Sequence, residues 1–155
     1  MTYLVDANAL SEGTKPHPDP KVIEWLRRYE AELVVDSIIL GEIELGILLL
    51  PPGQRRRRLE QWFADGIRHV HCLSWDAAAG RRWAQLLADL RAVGQAMPVK
   101  DSMIAATALV HDLTMVTRNS RDFQKAGLRV LDPFTCPVAR SGPAGGRRYA
   151  AGGTV

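Results

Sequence analysis

Four carboxylates stand at the edges of, or inside, otherwise apolar stretches, and their types and placement could do chemistry. Asp6 ends the run Tyr3-Leu4-Val5, and Glu42 lies within the helix-like stretch from Ser37 to Leu50. Asp101 opens the helix-like stretch from Ser102 to Leu113, and Asp122 follows the apolar segment from Thr114 to Val116. A carboxylate loses its hydration in an apolar setting, so buried acids are rare without a partner. Several acids gathered without matching cations repel one another, and a divalent metal is the usual remedy. Oxygen donors alone, with no imidazole or thiolate beside them, select Mg²⁺ or Mn²⁺ over Zn²⁺. The four acids therefore predict a Mg²⁺- or Mn²⁺-dependent phosphoryl-transfer site.

The elements that must position these acids alternate between strand and helix signals. Tyr3 to Val5, Leu33 to Val35, His69 to Leu73, Thr114 to Val116 and Leu128 to Leu131 read as short buried strands. Asp19 before Pro20 starts a helix to about Arg28, and Asp36 or Ser37 caps an apolar helix that must stop at Pro51-Pro52. Gln54 to Ala64 reads as a helix. A longer amphipathic one starts at Asp76 and ends at Gly94, with Ala79, Trp83, Leu86, Leu87 and Leu90 in register. Ala7 to Pro20 reads as a loop or partial helix. This alternation predicts an α/β fold with a central parallel sheet of four to five strands flanked by helices. In such sheets ligands bind beyond the C-terminal strand ends, where Asp6 and Asp122 fall. Glu44 is about 200° round the helix from Glu42 at ~100° per residue, so only one of them can face that pocket.

The chain's bulk properties narrow the setting. Its 155 residues fit one domain, and 46% hydrophobic with 24% charged residues is ordinary for a globular protein. No apolar run reaches the ~18–20 residues that span a bilayer, so no membrane role is expected. The opening Met1 to Asp6 has no basic n-region and meets an acid at once, which argues against a signal peptide. Cys72 and Cys136 make no metal-ligand spacing with the four histidines, and free thiols in a reducing cytoplasm are expected. The formal charge of +3 resides in the segment from Pro137 onward, whose Arg140, Arg147 and Arg148 meet no acid. Removing those three from 20 basic residues leaves 17 against 17 acids, so the body is neutral and nucleic-acid contact would need local patches. Residues 1–136 are expected to form the folded domain, and the Gly/Ala/Arg-rich segment 137–155 to be a disordered tail.

Four stretches carry a family resemblance. Leu4-Val5-Asp6-Ala7-Asn8-Ala9-Leu10-Ser11-Glu12 resembles the opening motif of PIN-domain ribonucleases, particularly VapC- and FitB-type toxins of bacterial toxin–antitoxin pairs. Ile39 to Gly46 is similar to the second motif, with its acid on Glu42; Val99 to Ala108 to the third, with Asp101; and Val116 to Phe123 to the fourth. The resemblance covers about Met1 to Phe134, with all four motifs in family order. It implies a single PIN-like domain and a metal-dependent endoribonuclease using Asp6, Glu42, Asp101 and Asp122. It further implies a dimer held inactive by a small cognate antitoxin, with RNA as substrate. Two departures stand out. Ala7 replaces the Thr or Ser of many relatives, and Asn119 stands where many have an acid, leaving the fourth place to Asp122 or Asn119.

Plainer readings stand beside these. Asp6 can end a strand, Asp101 can be an N-cap, Asp122 can cap a turn, and Glu42 can lie on a solvated helix face. Asn8 either holds its loop or orients a carboxylate, and Thr117 and Ser120 either close turns or bind phosphate. Arg118 has a phosphate-pairing reading, and the run Arg55 to Arg58 is a solvated face or an RNA contact. Trp62, Trp83 and the leucines beside it read as core or dimer surface. An aspartate-nucleophile phosphatase would want a second acid two residues after Asp6, where Asn8 stands. A catalytically idle PIN-like module that binds RNA or protein is the rival of another class.

Overall fold

The computed structural model describes residues 1–135. The expected boundary at Cys136 and the segment 137–155 lie outside the described residues.

Five short strands form one parallel sheet: β1 (Tyr3–Val5), β2 (Leu33–Asp36), β3 (His71–Leu73), β4 (Thr114–Val116) and β5 (Val130–Leu131). Their order across the sheet is β3-β2-β1-β4-β5, so β1 is central and succession reverses direction between β1 and β4. Leu4, Val5, Val34, Val35, Met115 and Val116 are all buried, as a parallel sheet covered on both faces requires. The register pairs Val5 with Val116, which brings the chain just after β1 beside the chain just after β4.

Among the described residues seven α-helices flank the sheet: α1 (Ala7–Leu10), α2 (Pro20–Arg28), α3 (Ser37–Leu48), α4 (Gln54–Asp65), α5 (Ala77–Ala92), α6 (Val99–Val110) and α7 (Ser120–Gln124). Local chemistry sets several of their ends. Asp19 Oδ1 accepts from the Lys21 N–H with Pro20 at the first helical position, and Asp36 and Asp76 accept from Ile39 and Ala79. At the end of α5, Gly94 adopts φ +68°, its N–H donates to Arg91 and the Gln95 N–H donates to Leu90. That pair of bonds is a Schellman stop, which glycine's freedom at positive φ favours.

Three expectations need correction. Asp101 does not open its helix: α6 starts at Val99 behind Pro98, and Asp101 lies in the first turn. The residue before a proline avoids helical backbone, but Pro itself suits the entry to a helix, so the start moves toward Pro98. Asp122 lies within the short helix α7 and not in a loop. Both edge strands are shorter than expected: β5 is Val130–Leu131 within Leu128 to Leu131, and β3 is His71–Leu73 because Ile67–His69 form a 3-10 turn.

Helix α3 buries Ile39, Ile43 and Ile47 at four-residue spacing, yet leucines also stand on its outer side: Leu45 and Leu48, with the C-cap Leu49, are 56%, 52% and 76% exposed. Among the described residues no helix is long and apolar enough to cross a membrane. Helix α6, which carries Asp101, is anchored by fully buried Ile104, Ala105, Ala106 and Ala108. Ile104→Ala is expected to destabilise the domain by about 2–5 kcal/mol. Urea unfolding should show a lower midpoint at unchanged slope.

Candidate active site

Asp6 follows the last residue of the central strand and is buried, 7% exposed. Its Oδ1 accepts the Ala7 N–H at 2.9 Å, which caps α1. Its Oδ2 accepts the Thr117 hydroxyl at 2.7 Å and the Asn8 amide at 3.3 Å. Thr117 is fully buried at the end of β4 and also receives the Asn119 N–H at 3.0 Å. The hydroxyl that Ala7 cannot offer is thus supplied to Asp6 from the neighbouring strand. Asn8 adds a second tie, accepting the Arg118 N–H at 3.2 Å.

Asp101 and Asp122 are joined through Asn119, whose amide nitrogen donates to Asp101 Oδ2 at 3.3 Å and to Asp122 Oδ2 at 3.0 Å. Asn119 and Asp122 thus stand side by side in one hydrogen-bonded bridge. Asp122 Oδ1 is also paired with Lys125 at 3.2 Å. Glu42 comes from the exposed side of α3, and its carboxylate is half-buried rather than enclosed by apolar neighbours. Its Oε1 meets the Lys100 ammonium at 2.6 Å, while its buried Oε2 has no hydrogen-bond donor.

The charges of these acids reach one another. Burial pushes the Asp6 carboxyl above its usual range against the lowering Thr117 hydrogen bond, and the charges of Glu42 and Asp101 push it further. Burial likewise raises Asp101; Lys100 opposes the shift, and Asp122 and Glu42 add to it. Lys100 is held above its ordinary value, first by its bond to Glu42 and also by the charges of Asp101 and Asp6. Asp122 is pulled below the usual range by Asn119 and Lys125. An ammonium thus sits where the acids call for positive charge.

Two other buried carboxylates stand apart. Glu12 accepts the Asp19 N–H at 2.9 Å and pairs with Lys15 at 2.6 Å. Burial alone would raise it, but those partners hold it below its ordinary value. Asp36 is fully buried as the cap of α3, and burial raises its pKa against the Ile39 and Thr107 contacts.

The arrangement fits a hard divalent cation by donor chemistry: carboxylate oxygens only, mutual repulsion, and one orphaned buried acceptor on Glu42. Among the described residues no three acid, histidine or cysteine side chains stand tightly enough around one point to enclose an ion.

Thr117, Asn119 and Lys100 are the site's neighbours that the sequence left without a settled role. Lys100 and Asn119 lie one and three residues from acids already singled out; Thr117 becomes visible only once β4 is known to lie beside β1. In the metal-free protein, carboxyl NMR should find Asp6 and Asp101 titrating above the usual carboxylate range and Asp122 below it. A raised folded pKa means the folded state holds its proton longer than the unfolded chain. Asp6 and Asp101 therefore lower stability as pH climbs from the unfolded carboxylate range through their folded values, and not below it. Mg²⁺ should bring both midpoints down; no movement would separate the acids from any ion.

The PIN domain family model matches residues 3–128. Over 135 residues the chain is 35% identical to plasmid stability protein StbB of Pseudomonas syringae pv. tomato, covering 84% of this chain and 97% of that one. It is 32% identical over 136 residues to VapC ribonuclease Y4jK of Sinorhizobium fredii, with coverages of 84% and 96%. Toxin FitB of Neisseria gonorrhoeae is 30% identical over 135 residues, with coverages of 84% and 97%. The solved structure of FitAB bound to an IR36 DNA fragment overlays with a TM-score of 0.83 at 27% identity, covering 88% of this chain and 99% of that one. FitAcB from Neisseria gonorrhoeae overlays at 0.82 with 28% identity, covering 87% and 100%. The motif resemblance, the parallel sheet and these matches agree: the chain belongs to the PIN domain family and is similar within it to VapC- and FitB-type toxins.

Proposed function

We propose that this chain is a divalent-metal-dependent endoribonuclease, the toxin of a type II toxin–antitoxin module. It would hydrolyse RNA phosphodiester bonds at Asp6, Glu42, Asp101 and Asp122. One observation carries the reading. Asp6, Glu42 and Asp101 lie within electrostatic reach of one another, Asn119 ties Asp101 to Asp122, and Lys100 offsets part of their charge, which supports this reading.

Asp6, Glu42 and Asp101 would hold Mg²⁺ or Mn²⁺, and Asp122 would complete the set with Asn119 as its link to Asp101. When bound, the ion supplies charge neutralisation at the attacked phosphate and a lowered pKa for a nucleophilic water. The protein's own part is positioning. Thr117 and the Ala7 N–H keep Asp6 in one rotamer, and Asn119 holds Asp101 and Asp122 at a fixed separation. Lys100 keeps Glu42 from repelling its neighbours and releases it by swinging its own exposed ammonium aside. Protons compete for Asp6 and Asp101, so activity is lost toward acid pH.

The relatives supply the biological setting. One similar protein is a VapC ribonuclease, and one similar solved structure is a FitAB assembly on DNA. A small cognate antitoxin is therefore the proposed partner, a homodimer the proposed assembly and the cytoplasm the proposed location. The absence of a tight three-acid cluster among the described residues favours a second reading, an idle PIN-like module that binds RNA or protein without cutting.

Asp101→Asn removes one charge at almost constant volume and should lower RNA cleavage by at least about 100-fold. Its circular dichroism and unfolding midpoint should stay near wild type. EDTA should stop the wild-type enzyme and Mg²⁺ or Mn²⁺ restore it. Full cleavage by the variant would remove Asp101 from the site. RNA binding that survives EDTA, with no cleavage under any divalent ion, would establish the idle module instead.

A further inference from the structure

The run Arg55 to Arg58 is divided by the helix that carries it. Arg56 turns back to the end of α3: its Nε pairs with Glu60 at 2.8 Å and its Nη1 lies 3.4 Å from the carbonyls of Leu48 and Leu50. Arg57 is exposed. Arg55 and Arg58 share one face of α4 with Leu59 and Trp62, at three- and four-residue spacing. That face lines an open groove of about 630 Å³ whose opposite wall is Gly13 to Pro16. No acid lines the groove, and among the described residues neither Arg55 nor Arg58 has a carboxylate partner. Both cations lie in the N-terminal half of α4, Arg55 in its first turn, where the macrodipole disfavours positive charge.

A relay of contacts links the groove to the acid site. The groove's far wall belongs to the segment that begins at Asp6, with Lys15 roughly 15 Å along it at a rise of ~1.5–2 Å per residue. Lys15 and Arg118 share the Phe134 ring, at 5.9 and 4.5 Å from its centroid. The Arg118 N–H is bound by Asn8, which in turn donates to Asp6. Positive charge therefore runs from Arg118 past Lys15, itself partly neutralised by Glu12, to the unpaired Arg55 and Arg58.

We infer that this groove is the track for single-stranded RNA flanking the scissile bond, with Arg55 and Arg58 on phosphates and the half-buried Trp62 offering a face to a base. The inference rests on the nuclease reading. Unpaired cations spaced along a path to the acids, with an aromatic ring among them, are what a sugar–phosphate chain with stackable bases requires.

The test measures anisotropy of fluorescein-labelled poly(uridine) of about 20 nucleotides, several times a minimal single-strand site. All proteins carry Asp101→Asn so that the probe survives. Each phosphate contact on a single strand contributes about 0.7 to the slope of log affinity against log salt. The Arg55→Ala/Arg58→Ala variant should therefore lose about 1.4 from that slope, and bind about 25-fold more weakly at about 0.1 M salt. Arg55→Lys/Arg58→Lys should keep the slope, Arg57→Ala should match the parent, and Trp62→Ala should weaken binding about fivefold or more while Trp62→Phe holds. Unchanged affinity and slope in the double alanine variant, in a protein whose Asp101 form cuts RNA, would overturn the track and leave the nuclease reading standing. Loss of antitoxin binding with RNA binding intact would also overturn it, making the groove a protein interface. No RNA cleavage or binding by the wild-type chain would remove both.

Discussion

Repulsion among carboxylates that the fold forces together is the constraint on which this structure turns. Asp6 is committed to the site by its place at the end of the central strand, and its neighbours in space are other acids. An isolated buried carboxylate would be neutralised by taking up a proton or be expelled toward water. Here the acids are retained by donors that cannot themselves titrate in the same range: a Thr hydroxyl, two Asn amides and a backbone N–H. These bonds fix direction without cancelling charge. Lys100 offsets part of what remains.

The sheet order explains why the acids meet at all. With β1 flanked by β2 and β4, the chain leaves neighbouring strands toward opposite sides of the sheet, which opens a crevice at the reversal. Asp6 lies on one lip of that crevice and Thr117 on the other. Helix α6 enters from Pro98 with Asp101 in its first turn, where the helix dipole favours an anion. Helix α7 lies one turn beyond Thr117 and delivers Asp122. The buried Ile104 and its alanine neighbours hold α6 close, so the position of Asp101 is a consequence of core packing.

Much of this was legible in the chain because its causes are local. Asp19-Pro20, Asp76 and Gly94 mark helix ends through bonds made within a few residues, and the strands announce themselves as short apolar runs between them. The four acids draw notice for a similar reason, each standing in or beside an apolar stretch of sequence. Thr117 was not legible, because its role depends on β4 lying beside β1, a pairing between residues more than a hundred positions apart. The setting of Glu42 was misjudged for a related reason. Apolar neighbours in sequence suggested enclosure, yet Leu45 and Leu49 project outward and only the Ile39–Ile43–Ile47 edge of α3 is buried.

Burial alone does not distinguish Asp6 from Asp36. Both Asp6 and Asp36 end adjacent parallel strands, both cap the helix that follows, and both are pushed up by burial. The difference lies in what else they face. Asp36 accepts the Ile39 N–H through Oδ1 and keeps its Oδ2 buried without a donor, but no other acid is among the charges that raise it. Asp6 carries the same capping bond and in addition feels Glu42 and Asp101, an interaction that folding does not relieve. A capping aspartate contributes to stability on its own terms. One that also faces like charge costs stability unless a ligand is bound, and that residual cost is the physical mark separating Asp6 from its neighbour in the sheet.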